Sequence, residues 1–235
     1  MQWPNIILGK KMATVLVLGV MGLLVVSVFW QASTAVISPL RDSSVVMIDP
    51  GHGGYDPGAI TSQGVYEKTI NLQIAHKVKK MLHPSGIEVF LTREDDIDYV
   101  PNGVKGKTSK KLIDLNHRIQ MANQETADVF ISLHVNATAK GQNSGAETFY
   151  HYKSESGKKL AELIQQELIK IAGMNHRIAK SGNFYIIKNT SMPAVIVEVG
   201  YLSSVKEQKK LQQTWYQDQL ARAIAKGIAN YFGLP

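Results

Sequence analysis

Short runs of β-branched residues alternate with amphipathic stretches along residues 44–235, and this alternation predicts the fold. The amphipathic stretches repeat apolar side chains every three or four positions, as one face of a helix does. In the first such stretch the repeating residues are Ile70, Ile74, Val78 and Met81. Alternating strands and helices are typical of an α/β class domain. We therefore predict a single domain with a mostly parallel central β-sheet flanked by helices.

The predicted elements follow one another with short connections. Strands are predicted at 45–48, 87–91, 128–133, 147–152, 184–188 and 194–199. Helices are predicted at 67–82, 112–122, 160–171, 205–211 and 215–231. The polar stretch at 95–111, between the predicted strand at 87–91 and the predicted helix at 112–122, is interpreted as a loop.

A long uncharged stretch precedes this domain. Lys10 and Lys11 lie before residues 12–30, which carry no charged side chain and are about long enough to cross a hydrocarbon core. The positive-inside rule then keeps the first residues in the cytosol and places the remainder outside. Small residues at 33–35 are suitable for signal-peptide cleavage. Three interpretations of the uncharged stretch therefore remain: a removed signal peptide, a retained anchor and a buried core helix. We predict that residues 1–43 form a cytosolic N-terminus, a membrane-spanning or signal segment and a linker, and that the domain is extracytoplasmic.

Composition narrows the chemistry. The chain has no cysteine, so a bound metal must be held by His, Asp or Glu. The net charge of +7 suits attraction to anionic wall polymers, lipid headgroups or nucleic acid. Nucleic acid is not favoured, because no arginine-rich helix or aromatic-basic repeat accompanies the charge. Four lysines are interpreted as part of a solvated loop, with affinity for an anionic glycan or a protein partner as the alternative. They are Lys105, Lys107, Lys110 and Lys111.

Four ionisable side chains lie where a predicted strand or helix begins or ends. His52 follows the first strand in a glycine-rich loop, and Glu67 opens a helix. His134 follows the third strand, and Glu198 lies near the end of the last. Each has an ordinary structural interpretation alone, although an unpaired carboxylate such as Glu198 is costly to bury in an apolar strand. Because ligands of open α/β sheets bind where strands end, these residues together predict a hydrolytic zinc site.

Six short motifs occur in order along the domain. They are Asp-Pro-Gly-His-Gly-Gly at 49–54, Glu-Lys at 67–68, Leu-Thr-Arg at 91–93, Ser-Leu-His-Val-Asn at 132–136, Gly-Ala-Glu-Thr-Phe-Tyr at 145–150 and Val-Glu-Val-Gly-Tyr-Leu-Ser at 197–203. The ordered set resembles the zinc-dependent N-acetylmuramoyl-L-alanine amidases, the type 3 peptidoglycan amidases, over roughly residues 45–232. The resemblance implies a hydrolase that cleaves the amide between the lactyl group of muramic acid and the L-alanine of the stem peptide.

The resemblance also implies roles for individual residues. His52, Glu67 and His134 are expected to bind one Zn²⁺ ion. Glu198 is expected to act as the catalytic base, which takes a proton from water and passes it to the departing nitrogen.

Three further residues are candidates for supporting the ligands or contacting the substrate. Asp49 and Asn136 are considered because ligating histidines usually donate their second ring N–H to an acceptor. Arg93 is either a substrate contact or a structural ion-pair partner. The sequence departs from the family pattern at Tyr201, where phenylalanine is frequent, and at Ser204, where asparagine is common, which puts only local substrate contacts in doubt.

Within the family, the chain is most similar to short, single-domain members that act on spore cortex. The resemblance implies a role in cortex maturation, with formation of muramic-δ-lactam, or in wall remodelling. The stretch from His134 to Glu198 leaves no room for an inserted autoinhibitory helix, so the site is expected to be open. The expected partners are peptidoglycan, the membrane through the N-terminal segment, and an activator protein such as some relatives require. The alternatives are a zinc carboxypeptidase or endopeptidase of the stem peptide, and an inactive membrane-anchored wall scaffold.

Overall fold

The computed structural model describes residues 43–138 and 143–235. The predicted membrane-spanning or signal segment at 12–30 lies outside these residues. None of the helices in these two ranges is both long enough and apolar enough to cross a bilayer.

Six strands form one sheet in the order β2–β1–β3–β6–β4–β5. They are β1 (Val45–Pro50), β2 (Glu88–Leu91), β3 (Val129–Asn136), β4 (Glu147–His151), β5 (Lys180–Gly182) and β6 (Ala194–Tyr201). Neighbouring strands are parallel, except that β4 runs antiparallel to β6. The predicted α/β domain with a mostly parallel sheet is confirmed.

Helices cover both faces of the sheet. They are α1 (Glu67–Leu82), α2 (Lys107–Gln124), α3 (Glu155–Leu168), α4 (Tyr185–Asn189), α5 (Val205–Leu211) and α6 (Thr214–Tyr231), with a 3₁₀ turn at His83–Ser85. Apolar residues of α1, α3 and α6 pack in one core with one face of the sheet. Residues of α2 and α4 form a second, smaller core on the opposite face.

Strand alternation decides which side chains reach the smaller core. In β3, Ile131, Leu133 and Val135 belong to the larger core, so the residues between them face the other way. Those residues include Ser132 and His134, which therefore share the α2 and α4 face. By the same alternation Glu198 projects from β6 on this face. The polar residues at the strand ends are thus gathered on the less thickly covered side of the sheet.

The predicted strand at 184–188 is wrong, because Tyr185–Asn189 is the short helix α4. Ile186 and Ile187 are consecutive and both buried, which a half-buried strand with alternating sides does not allow. The strand that the sequence pattern missed is β5, whose Lys-Ser-Gly sequence has no apolar residue to reveal it. Short apolar runs do not distinguish a strand from a helical turn by periodicity alone.

The interpretation of 95–111 as loop is wrong at its C-terminal end, because α2 already begins at Lys107. The first turn of α2 is largely exposed, and even Leu112, which the apolar pattern counted, is 43% exposed. The buried face of the helix begins instead with Asp114 and Arg118. Because the first two buried residues of the helix are charged, the apolar repeat did not indicate where the helix begins.

Arg118 joins α2 to the end of β1. Its side chain is 1% exposed and forms ion pairs with Asp49 at 2.9 Å and Asp114 at 2.8 Å. The guanidinium also donates to the carbonyl oxygens of Pro50 and His52, at 3.0 and 2.8 Å. Burial alone would raise the pKa of Asp49, but Arg118 and the neighbouring hydroxyl groups hold it below its ordinary value. The pair therefore remains ionised and fixes the first turn after β1.

Replacing Arg118 should destabilise the domain strongly. Arg118→Met leaves two carboxylates without their cation, and breaking a buried pair in this way costs about 3–5 kcal/mol. The matched control is Lys77→Met, which removes the cation of a more exposed pair with Asp218 and should change stability by at most about 1 kcal/mol. Urea denaturation of the domain at neutral pH measures both free energies of unfolding.

Lowering the pH should reduce the difference in unfolding free energy between the native protein and Arg118→Met. The folded-state pKa of Asp49 is lowered, so its stabilisation is complete above the unfolded pKa near ~4 and is lost as pH falls through the folded value. Equal unfolding free energies of the two proteins at neutral pH would contradict a stabilising role for the pair.

Candidate metal centre

The loop after β1 holds His52 in an uncommon backbone conformation. Its φ is 64°, in the left-handed region that residues other than glycine seldom adopt. Arg118 donates to the carbonyl oxygen of His52, and the Asp56 carboxylate lies 2.8 Å from its Nδ1 atom. These contacts from outside and within the loop fix the imidazole with its Nε2 atom toward Glu67.

Two glycines allow the loop to lie against the ionisable side chains. A Cβ atom on Gly51 would lie 2.3 Å from the ring of His134, which no ordinary contact permits. A Cβ atom on Gly58, which has a φ of +69°, would lie 2.6 Å from Oε2 of Glu67 and 2.8 Å from the ring of His52. Gly51 and Gly58 are therefore required by their close approach to the site.

Three of the predicted site residues meet at the carboxyl end of the sheet. Oε1 of Glu67 lies 3.2 Å from Nε2 of His52 and 3.0 Å from Nδ1 of His134. The two imidazole rings are at 80° to each other with centroids 4.9 Å apart. One potential ligand atom from each residue lies within 4.8 Å of the others.

Two of the three spacings within this cluster match those around a tetrahedral metal ion. Ligands at the ordinary zinc bond length of about 2.0–2.1 Å lie roughly 3.3 Å from one another. The distances from Glu67 to both imidazoles are close to that value. Two neutral nitrogen ligands and one carboxylate also form a usual donor set of catalytic zinc, which leaves one position for water or substrate.

The electrostatics of the cluster favour a bound cation. Burial alone would raise the pKa of Glu67, but hydrogen bonds with His134 and His52 keep it below its ordinary value. Burial alone would lower the pKa of His52, yet Asp56 and Glu67 raise it to about 9. The carboxylates therefore favour positive charge at this point, whether it comes from protons or from a divalent ion.

Asp56 is a site residue that the sequence did not identify. It lies four positions after His52 and accepts a hydrogen bond from the backbone N–H of Gly58. With Nδ1 of His52 directed at this carboxylate, Nε2 remains available as a ligand. The Asp-Pro-Gly at 56–58, a turn-forming sequence, was the only local sign of a side chain folded back toward the histidine.

Glu198 lies beside the cluster and differs from the other carboxylates. In the register of β3 and β6 it pairs with His134, so the two side chains are neighbours on one face. Its Oε2 atom is buried, and no hydrogen-bond partner for it is found in the described part of the chain. Burial raises the pKa of Glu198 to about 7, Glu67 adds to this rise, and His134 opposes it. This carboxylate can therefore exchange a proton near neutral pH.

Glu147 lies opposite Glu198 on β4 and is engaged with cations. Arg177 and Lys180 form ion pairs with its two oxygens. Arg177 also donates to the hydroxyl of Tyr201 at 2.7 Å. The hydroxyl that distinguishes Tyr201 from the frequent phenylalanine thus joins the polar network next to Glu198.

The other departure from the family pattern has a local explanation. Ser204 is the N-cap of α5, and its side chain accepts a hydrogen bond from the backbone N–H of Glu207. Serine and asparagine are both favourable N-cap residues, so the exchange preserves the start of the helix.

The three candidate supporting residues have different positions. Asp49 is buried and accepts hydrogen bonds from Thr92, Ser132 and Arg118, so its carboxylate supports the loop and contacts neither ligand imidazole. Arg93 is 2% exposed, and its guanidinium donates to four backbone carbonyl oxygens around the loop. Arg93 is therefore a structural residue that is hidden from solvent. Backbone carbonyl groups hold it in place, rather than an ion pair. Asn136 is partly buried at the end of β3, two residues beyond His134.

The domain is of the α/β class with three candidate metal ligands gathered at one end of its sheet, and comparison identifies its family. The sequence profile described as N-acetylmuramoyl-L-alanine amidase matches residues 46–230. The chain therefore belongs to the N-acetylmuramoyl-L-alanine amidase family, as its ordered motifs indicated.

Curated relatives and a solved structure agree with this assignment. The germination-specific N-acetylmuramoyl-L-alanine amidase of Bacillus subtilis (strain 168) is 38% identical over 189 residues, which cover 80% of this chain and 79% of that protein. The sporulation-specific amidase of the same organism is 33% identical over 192 residues, or 80% and 68% of the two chains. The CwlD amidase from Clostridioides difficile, solved in complex with the GerS lipoprotein, is similar with a TM-score of 0.78 and 36% identity, covering 81% of this chain and 99% of that one.

Removing the carboxylate of Asp56 should weaken metal binding. Asp56→Ala takes away the group that orients His52, and loss of such a partner typically costs about 10- to 100-fold in metal affinity. Asp95→Ala is the matched control, since Asp95 is an exposed carboxylate on the neighbouring loop. Competition with a chromophoric chelator measures the zinc affinity of each protein. Unchanged affinity in Asp56→Ala would show that His52 does not need this partner.

Proposed function

We propose that the domain is a zinc-dependent peptidoglycan hydrolase that cleaves the amide between the lactyl group of N-acetylmuramic acid and the L-alanine of the stem peptide. The observation that carries the proposal is the meeting of His52, Glu67 and His134 beside Glu198, whose buried Oε2 atom has no hydrogen-bond partner within residues 43–138 and 143–235. Membership of the amidase family supports the same reaction.

His52, Glu67 and His134 are the residues that would hold the metal. Bound there, a zinc ion would supply acidified water at neutral pH and polarise the substrate carbonyl. The chain contributes the fixed positions of the ligands. Glu67 is held by the backbone N–H groups of Ala59 and Val135, at 2.8 and 3.1 Å, so both of its oxygens are already oriented.

Glu198 is the residue that moves the proton. Its carboxylate would accept a proton from the attacking water, and the same carboxylic acid would deliver it to the nitrogen of the departing L-alanine. A pKa of about 7 suits both transfers, because neither protonation state is strongly favoured at neutral pH. Glu147, the buried carboxylate opposite Glu198 on β4, is already paired with Arg177 and Lys180 and is less suited to this proton transfer.

The biological setting that we propose is the cell wall of a spore-forming bacterium, with spore-cortex maturation as the first candidate. The similarity to germination-specific and sporulation-specific amidases supports this setting. Action on peptidoglycan places the domain outside the cytoplasm, and the uncharged stretch at 12–30 would bring it there as an anchor or a signal peptide. An activator protein is a further proposed partner, since a similar CwlD amidase was solved with a lipoprotein.

Analysis of muropeptide products tests the reaction. A soluble protein that starts near Ser44, loaded with zinc, is incubated with purified wall fragments, and the products are identified by mass spectrometry. Free stem peptides with an intact L-alanine terminus are expected. Loss of D-alanine or cleavage between peptides would instead indicate a carboxypeptidase or endopeptidase. No product on several wall preparations would favour a scaffold without turnover.

Substitutions should separate the catalytic base from the metal ligands. Glu198→Gln keeps the shape of the side chain but cannot accept the proton, so it should retain zinc and lose at least ~10²-fold in kcat. His52→Ala and His134→Ala remove ligands and should lose both zinc and activity. Elemental analysis and kcat are measured for each variant. Near-normal turnover by Glu198→Gln would contradict its assignment as the base.

A further inference from the structure

A row of exposed side chains runs along the outer side of α6. It consists of Trp215, Gln219, Arg222 and Lys226, and successive members are four, three and four positions apart, which places them on one side of a helix. The residues between and just after the two cations, at 223–225 and 227–229, are buried. The solvent-facing side of α6 therefore presents an indole ring and two cations in one line.

Helix α1 adds a third cation beside this row. The two helices lie side by side, and an ion pair between Lys77 and Asp218 joins them. Lys80 of α1 lines the groove between them, which has a volume of about 820 Å³ and is also lined by Arg222 and Lys226. We refer to Lys80, Trp215, Arg222 and Lys226 as the α1–α6 surface.

The three cations of the α1–α6 surface form no ion pair within residues 43–138 and 143–235. The acidic groups near them are engaged with other lysines, Asp218 with Lys77 and Glu167 with Lys170. The one acidic residue of α1, Glu67, belongs to the candidate metal centre. The positive charge of this surface is consequently available to an anionic partner.

The exposed tryptophan indicates which kind of anionic partner fits. Trp215 is 54% exposed, although its ring is the largest apolar group that a side chain offers. Tryptophan in line with lysine and arginine is typical of surfaces that lie at a membrane–water interface, where the ring enters the headgroup region and the cations meet anionic headgroups. A soluble phosphate polymer would satisfy the cations but would give the indole ring no apolar surroundings.

We propose that the α1–α6 surface docks on a lipid bilayer that contains anionic headgroups. The uncharged stretch at 12–30, as an anchor or a signal peptide, would bring the domain to such a membrane. Helices α1 and α6 pack on the larger-core face of the sheet, whereas His134 and Glu198 project from the opposite face. Docking would therefore direct the candidate metal centre away from the lipid and toward the wall.

Vesicle binding tests the proposal with a single fluorophore. Residues Ser43–Pro235 form one compact unit that contains both cores, and Trp215 is the sole tryptophan of a protein that starts at Ser44. With phosphatidylglycerol vesicles, the emission of Trp215 should shift to shorter wavelength and be quenched by brominated lipid. With phosphatidylcholine vesicles the spectrum should not change. High salt should release the protein, because exposed charges are screened.

Removing the three cations should weaken docking. Each lysine or arginine beside an anionic bilayer contributes about 5-fold to partitioning, so Lys80→Gln/Arg222→Gln/Lys226→Gln should bind phosphatidylglycerol vesicles about 10²-fold more weakly. Lys80→Arg/Lys226→Arg keeps the charge and should bind within about 2-fold of the native protein. Trp215→Ala should also bind more weakly, but with an unchanged dependence on salt. Sedimentation with vesicles measures partitioning for every variant.

A matched control separates this surface from the overall charge of the domain. Lys107→Gln/Lys110→Gln/Lys111→Gln removes the same number of charges from the start of α2, which packs on the smaller-core face. Its partitioning should stay within about 2-fold of the native value. Circular dichroism is compared across all variants to show that each is folded.

Four outcomes would overturn the proposal. The native protein could fail to bind anionic vesicles, or the glutamine variant of the α1–α6 surface could bind them as tightly as the native protein. Binding could also occur without a change in Trp215 emission. Finally, the same triple substitution could abolish binding to purified wall polymer or formation of a dimer, with no vesicle binding by the native protein, which would identify a different occupant.

Failure of docking is distinguishable from failure of the proposed amidase activity. Vesicle binding requires no turnover, so a protein that binds vesicles but releases no stem peptide would support docking and contradict the amidase proposal. Conversely, the glutamine variant of the α1–α6 surface should keep its kcat on soluble muropeptides within about 2-fold, because none of its substituted residues lies at the candidate metal centre.

Discussion

The common end of three neighbouring strands is the constraint on which the site depends. β1, β3 and β6 are parallel and adjacent, so the residues that follow or end them arrive at one edge of the sheet. His134 and Glu198 pair in register there, and Gly51 lets the loop that carries His52 lie against the His134 ring. The register shift just after His134 interrupts regular pairing at the point where the side chains must turn toward a ligand.

The buried carboxylates differ in whether a positively charged group neutralises them, and this difference matches their proposed roles. Asp49 is neutralised by Arg118, and Glu67 by the imidazoles around it, so both remain ionised in poorly hydrated surroundings. Glu198 has no such partner in the described residues, and burial brings its pKa to about 7. The same physical penalty that makes an unpaired carboxylate unfavourable for folding makes this one able to take and release protons.

Helix α2 connects the stability of the domain with the position of the candidate metal centre. Its buried face supplies Arg118, which fixes the loop after β1 from beneath. Its first turn supplies Lys107 and Lys110, which line a cleft of about 360 Å³ beside that loop.

Sequence alone determined the α/β class, most element positions and the family, and it named four candidate site residues whose roles stay predictions, because periodicity, strand ends and motif order are properties of the chain itself. It did not reveal α4 or β5, whose short runs lack a diagnostic period. Nor did it reveal the roles of Asp56 and Arg118. Arg118 reaches Asp49 across 69 positions of the chain, and only the packing of α2 against the sheet brings them together. Tertiary structure decided those roles, since a buried charge acquires its function from the groups that folding places around it.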